Sequence, residues 1–176
     1  VTGRAGHLGT VPPDARHDAL AGAAELVLAV EQLMHENEHL FATVARMDVE
    51  PNVPNVIPTR VALRLDVRHP CDIERNAAVQ GIIHRAESVA SRRGLQCELN
   101  WRDDHDAVPV DARLADCLSK AMLETGLRPH HLPSGAGHDA AIMAARFPMP
   151  MLFAPSRPGA SHHPQEPVDT DDVPPA

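Results

Sequence analysis

Residues 60–68, Arg-Val-Ala-Leu-Arg-Leu-Asp-Val-Arg, constrain the fold of this chain more than any other stretch. Val61, Leu63, Leu65 and Val67 alternate with Arg60, Arg64, Asp66 and Arg68, the period of a strand with one apolar and one polar face. Such a strand belongs to a sheet whose apolar side must be covered, and the flanking segments supply helices to cover it. Between Asp14 and about Glu36, the residues Ala19, Ala23, Leu26, Val30 and Leu33 recur at helical spacing. Val79, Ile82, Ile83, Ala86, Val89 and Ala90 do the same before Gly94, which can cap a helix ending in Arg92 and Arg93. Val1–Ala5, Leu40–Val49 and the alternating Leu95–Trp101 read as further strands, and Pro51, Asn52, Pro54 and Asn55 as a turn. The order β-α-β-β-α-β is the ferredoxin-like split motif, which leaves one polar sheet face in need of a use or a partner.

The expected fold class is therefore α/β (α+β), with this domain over residues 1–104. After the charged break at Arg102–Asp106 the pattern changes. Asp111 can cap a helix that carries Leu114, Cys117, Leu118, Ala121 and Met122 and ends at Gly126. A loop at Ser134–Gly137, a helix from His138 to Arg146, a strand at Met149–Ala154 and a histidine-bearing loop follow. Residues 105–176 hold too few strands to close a core alone, so they read as part of a second domain with apolar surface left open.

Composition excludes several functions. A net charge of -8 leaves no basic face for nucleic acid. No apolar run reaches the length of a membrane span, and no basic-then-apolar leader opens the chain. Three widely spaced cysteines without a CxxC pair argue against a zinc knuckle or disulfide framework, and a reducing cytoplasm is the expected compartment. Twelve histidines fit a metal enzyme as well as a histidine-rich surface.

Several short segments carry possible chemistry, each of which alone also describes an ordinary loop. Gly3-Arg-Ala-Gly-His7-Leu-Gly-Thr-Val-Pro12 sets a histidine in a glycine-rich turn, where it could donate a hydrogen bond to a developing oxyanion. Asn55, in the turn before the 60–68 strand, and Arg68, on that strand's polar face, are a natural pair for a carboxylate. Ser134-Gly-Ala-Gly137-His-Asp-Ala140 feeds a helix N-terminus, where His138-Asp139 could equally be metal ligands or a helix cap. Gly159-Ala-Ser-His162-His-Pro-Gln-Glu166 places histidines in a loop after a strand, a common source of metal ligands. Asp103-Asp104-His105-Asp106 looks metal-like but reads as a solvated linker.

The His7 turn, Arg16-x-Asp18-Ala-Leu20, Asn55-Val-Ile-Pro58, Leu65-Asp-Val-Arg68, Ser134–Ala140 and Gly159–Glu166, taken in that order, resemble the M20-type metal-dependent amidohydrolases. The branch is that of allantoate amidohydrolase, N-carbamoyl-L-amino-acid hydrolase and β-ureidopropionase, and the resemblance spans essentially the whole chain. It implies that residues 1–104 are a lid and dimerisation domain and that 105–176 are the end of a zinc-aminopeptidase-like catalytic domain. It implies a centre of two divalent metals (zinc, manganese or nickel) whose bridging water attacks a small ureido-acid substrate. By resemblance His7 is the lid histidine that reaches into the partner subunit's active site, making a homodimer through the lid the expected assembly. Asn55 and Arg68 hold the substrate carboxylate, Gly137 contacts substrate through its backbone, and His162 is a metal ligand. Leu8, Pro13 and Thr59 depart from the family's usual Ala, Met and Gly.

The family's His-x-Asp pair, its adjacent glutamates and its Leu-His-Ile-Glu-Gln-Gly-Pro segment precede the lid. Neither His-x-Asp nor Glu-Glu occurs in these 176 residues. The expectation is a C-terminal fragment, beginning at Val1 rather than Met, that retains one recognisable metal ligand and is inactive alone. The expected activity of the complete enzyme is hydrolysis of allantoate. The alternatives are an N-carbamoyl-L-amino-acid hydrolase or a non-catalytic dimerisation module.

Overall fold

The computed structural model describes residues 1–100 and 103–154. It divides into two compact units. The first is Val1–Ala107 with Pro133–Gly135; the second is Val108–Leu132 with the described residues from Ala136 onward.

In the first unit, helix α1 (Ala19–Glu36) begins where the Asp18 carboxylate accepts hydrogen bonds from Leu20 N–H (2.9 Å) and Ala21 N–H (3.1 Å). The expected earlier start at Asp14 is instead a short 3-10 turn, Pro13–Ala15, separated from α1 by extended backbone. Ala19, Gly22, Ala23, Leu26, Val30 and Leu33 form the buried stripe of α1. Helix α2 (Asp72–Arg93) buries Ala78, Ile82, Ala86, Val89 and Ala90, and Arg75 extends the same stripe. It ends at Gly94, whose φ of 62° lies in the left-handed region, while Leu95 N–H reaches back to the Ala90 carbonyl (2.8 Å). Both helices pack on an antiparallel pair, β1 (Phe41–Glu50) and β2 (Arg60–Arg68).

The register between the strands shifts between Val44 and Arg46. Ala42, Val44, Met47 and Val49 thus stand opposite Val67, Leu65, Leu63 and Val61. The extra residue, Ala45, reverses the alternation of β1, so that apolar residues at 42 and 44 and then at 47 and 49 all meet the apolar face of β2. Val61, fully buried, packs with Ala19 and Ala23, while Leu26, Val30, Ile82 and Ala86 form the main core. Filling this layer with branched and small apolar side chains removes them from water at about 25 cal/mol per Å².

The expected outer strands are reduced to bridges. Thr2 pairs with both Arg60 and Gln96, exchanging two backbone hydrogen bonds with Gln96 (2.7 and 2.8 Å). Past Gly3 the chain leaves the sheet, because Arg4 N–H turns to the His17 carbonyl (2.9 Å). The antiparallel register from Thr2 and Gln96 sets Val1 beside Cys97, so among the described residues nothing continues the ladder along 98–100. A strand without a neighbour to accept its hydrogen bonds is not held as one.

The second unit holds α3 (Ala112–Glu124), capped by Asp111 through Leu114 N–H (3.0 Å), and α4 (Asp139–Met143). The helix expected over 138–146 is the shorter α4. The strand expected at 149–154 is not formed; Met149 accepts one bond from Asp111 N–H (3.1 Å). None of the described residues 108–154 is buried, and Leu123, Leu127, Ile142, Phe147 and Phe153 are half exposed or more.

Candidate functional site

The glycine-rich turn and the turn before β2 lie against each other. Ile57 N–H donates to the Gly6 carbonyl (2.8 Å), Leu8 N–H donates to the Asn55 carbonyl (3.0 Å), and His7 bridges Val56. Arg16 clamps the outside of this turn, donating from Nη2 to the Leu8 carbonyl (2.8 Å) and from Nε to that of Val11 (3.1 Å). The Arg16-x-Asp18 pair therefore has two structural tasks, loop clamp and helix cap. His7 and Asn55, both exposed, are brought together by backbone pairing alone.

Within the turn, Gly9 N–H donates to Nδ1 of His7 (3.1 Å). Nδ1 is then an acceptor, which puts the ring proton of the neutral imidazole on Nε2. The turn thus presents a single N–H donor from an oriented ring, the group that stabilises negative charge developing on an oxygen. A Cβ at Gly9 would sit 3.5 Å from the His7 ring, so the turn approaches the imidazole closely.

Arg68 lies elsewhere. It is the last residue of β2, and eight residue steps at about 3.3 Å place it roughly 26 Å from the Arg60 end, where Asn55 and His7 sit. Its guanidinium is already engaged: Nε and Nη2 donate to the two oxygens of Asp66 (2.8 and 2.6 Å), and Nη1 donates to the Gly135 carbonyl (2.7 Å). The hydrogen bond from Arg68 holds the Asp66 carboxyl below its ordinary value, outweighing the opposing effect of burial; the same bond raises Arg68. Half of the Arg68 side chain (49%) remains exposed. Nothing in the sequence reading gave Asp66 a role, although residues two apart on one strand share a face and an Asp–Arg pair there is recognisable.

Gly137, in the second unit, is exposed, and a Cβ there would meet nothing within 4 Å. His138 is a helix cap, its Nδ1 accepting from Ala140 N–H (3.0 Å). His162 falls outside the described residues. The acidic run 103–106 is only partly a solvated linker. Buried Arg75 binds Asp104 (2.9 Å), Asp72 and the His105 carbonyl (2.7 Å), and Asp72 accepts from Ala107 N–H (2.9 Å). Among the described residues no group of three or more His, Cys, Asp or Glu side chains could hold a metal ion. They do not fit a dinuclear centre, which needs several such ligands.

Known proteins resemble this chain in sequence and in its mixed α/β fold. Residues 7–176 match the family described as Peptidase family M20/M25/M40. Allantoate amidohydrolase of Bacillus subtilis is 34% identical over 168 residues, covering 93% of this chain and 40% of that protein. N-carbamoyl-L-amino-acid amidohydrolase of Pseudomonas sp. is 37% identical over 180 residues, covering 98% and 42%. The crystal structure of an amidase of the hydantoinase/carbamoylase family from Burkholderia multivorans superposes with a TM-score of 0.89 at 32% identity, covering 97% of this chain and 42% of that one. The chain belongs to the M20/M25/M40 peptidase family. It spans about two-fifths of the length of the relatives it matches. No described helix is long and apolar enough to cross a membrane.

Proposed function

We propose that this chain is the substrate-reading part of a metal-dependent amidohydrolase that cleaves a C–N bond of a ureido acid, allantoate first. N-carbamoyl-L-amino acids are the second substrate class, because the Pseudomonas relative named for them is as similar to the chain as the allantoate enzyme. In this reading residues 1–104 are a ferredoxin-like lid and dimerisation domain, and 105–176 belong to the catalytic domain. The observation that carries it is the paired turns: Gly9 fixes His7 with its proton on Nε2, directly beside the Asn55 turn.

Nε2–H of His7 would donate to the oxygen that gains charge as the ureido carbon becomes tetrahedral. Asn55 and Arg68 would bind the carboxylate, and Gly137 would offer its backbone. A ureido acid is far shorter than β2, so one molecule cannot reach both the His7–Asn55 end and the Arg68 end of the same chain. A homodimer in which His7 and Asn55 of one copy face Arg68 of the other removes that conflict. The dinuclear metal centre would activate water in the complete enzyme, and the described residues do not fit it. Its ligands, His162 aside, would come from the part of such an enzyme that this chain does not span.

The test is complementation in the active enzyme. His7→Ala and Arg68→Met each lose activity, His7→Ala by about 10²–10³-fold in kcat, as for loss of one oxyanion donor. Mixing the two variants under subunit exchange restores about a quarter of wild-type activity, since half the dimers are mixed and each has one intact site. No restoration by exchanged dimers would sink the shared site. Metal-dependent ammonia release from allantoate by the purified 176-residue chain alone would overturn the assignment of the metal centre to residues outside it.

A further inference from the structure

The Arg68 guanidinium carries five N–H donors, and the structure commits three of them. Asp66 takes the side-on pair, Nε and Nη2, in the bidentate fork that gives the strongest and most directional Arg–carboxylate contact. The Gly135 carbonyl takes one hydrogen of Nη1. What remains is one N–H on each terminal nitrogen, on a side chain about half exposed. A free arginine on a strand face would sample many rotamers and could offer either edge of its fork. This one cannot turn without breaking its bonds to Asp66.

We propose that Asp66 is a positioning residue and specificity determinant for carboxylate substrates, holding Arg68 so that only its two terminal nitrogens are offered to the ligand. The inference rests on the reading of Arg68 as the carboxylate-binding group. It adds that selectivity for a carboxylate over its neutral amide depends on Asp66, which never touches the substrate. Asp66→Asn has two opposing consequences. It releases the guanidinium, so the ligand must order a mobile side chain, and it removes a negative charge from the neighbourhood of the incoming carboxylate. Both partners are more than two-fifths exposed, so solvent screens the charge effect and the ordering effect prevails. Salt weakens the charge effect further and leaves the ordering effect in place.

The experiment measures kcat and KM of the metal-loaded enzyme for an N-carbamoyl amino acid and for its primary carboxamide, at low and high salt. With Asp66→Asn the carboxylate substrate is expected to lose about fivefold more in kcat/KM than the carboxamide, carried by KM, and the factor grows with ionic strength. Equal losses for both substrates, or a carboxylate preference that stays or rises, overturn the proposal. Arg68→Met is the control. If it leaves the carboxylate preference intact, Arg68 is not the binding group and the underlying reading fails. If it abolishes the preference while Asp66→Asn does not, only the role of Asp66 fails. A second measurement needs no turnover: in the 176-residue chain, the Arg68 Nε–H resonance should be shifted downfield and exchange slowly with solvent, and lose both properties in Asp66→Asn. A wild-type Nε–H that exchanges as fast as that of free arginine also overturns it.

Discussion

Replacing Gly94 by alanine tests how α2 is tied to the N-terminal segment that carries the His7 turn. Gly94 ends α2 at a φ of 62°, and its carbonyl accepts a hydrogen bond from Nδ1 of His17 (2.7 Å). An alanine pays about 1 kcal/mol for the left-handed backbone alone. Its Cβ would also lie 2.6 Å from two atoms of the His17 ring, so the imidazole must swing away. That movement breaks the bond to the Gly94 carbonyl, a further loss of about 1 kcal/mol. The expected total is about 2 kcal/mol, well above an average surface substitution. In a His17→Ala background there is no ring to displace and no bond to lose, so Gly94→Ala should cost only about 1 kcal/mol, a coupling of about 1 kcal/mol. Native-state hydrogen exchange at the buried amides of α2 reads these differences without requiring both units to unfold together. A Gly94→Ala cost that is the same with and without His17 would refute the reasoning.

Arg75→Met should destabilise the first unit by about 2 kcal/mol, below the 3–5 kcal/mol of fully buried pairs because Asp72 and Asp104 keep partial contact with water; faster exchange of the Ala107 amide, now bonded to Asp72, is the local readout. Gly22→Ala should cost about 1–3 kcal/mol by overpacking, since its Cβ would stand 2.3 Å from Leu95 Cδ1, and urea denaturation of the pair with Leu95→Ala should show the cost relieved. Asp66 and Glu25 are held below their ordinary values of 3.8 and 4.5, each chiefly by arginine hydrogen bonds. Depressed carboxyls contribute stability above those values and lose it as the pH falls through the lower folded ones, so the urea midpoint should drop below about pH 4.5. That drop should be shallower in an Asp66→Asn, Glu25→Gln double variant; an unchanged acid profile would count against both pairings.

What the sequence makes legible follows from which interactions are periodic. The stripes of α1 and α2 and the alternation of β2 are local patterns and are read directly, as is the Gly94 cap. Strand β1 hides its period because the bulge at Ala45 switches the inward parity midway, and only the register with β2 reveals why 42, 44, 47 and 49 belong to one face. Arg75 shows how a readable pattern is missed through chemistry. It lies three residues before Ala78 on the buried stripe of α2, but its charge marks it for solvent until Asp72 and Asp104 are seen to neutralise it. The candidate site divides in the same way. His7 and Asn55 are each visible as turn residues, yet their meeting depends on two backbone hydrogen bonds between segments nearly fifty residues apart, which no side-chain pattern encodes. Arg68 is visible as a cation on a polar face, but its distance from Asn55 is a property of strand length. Nine of the thirteen positions that follow Asn55 up to Arg68 form β2, and the alternation of 60–68 makes that strand readable, so the two residues stand at its opposite ends. Under the proposed function, a carboxylate pair drawn from Asn55 and Arg68 would therefore require two chains, and the extended strand that separates them in one copy would set how far apart two copies hold their paired turns.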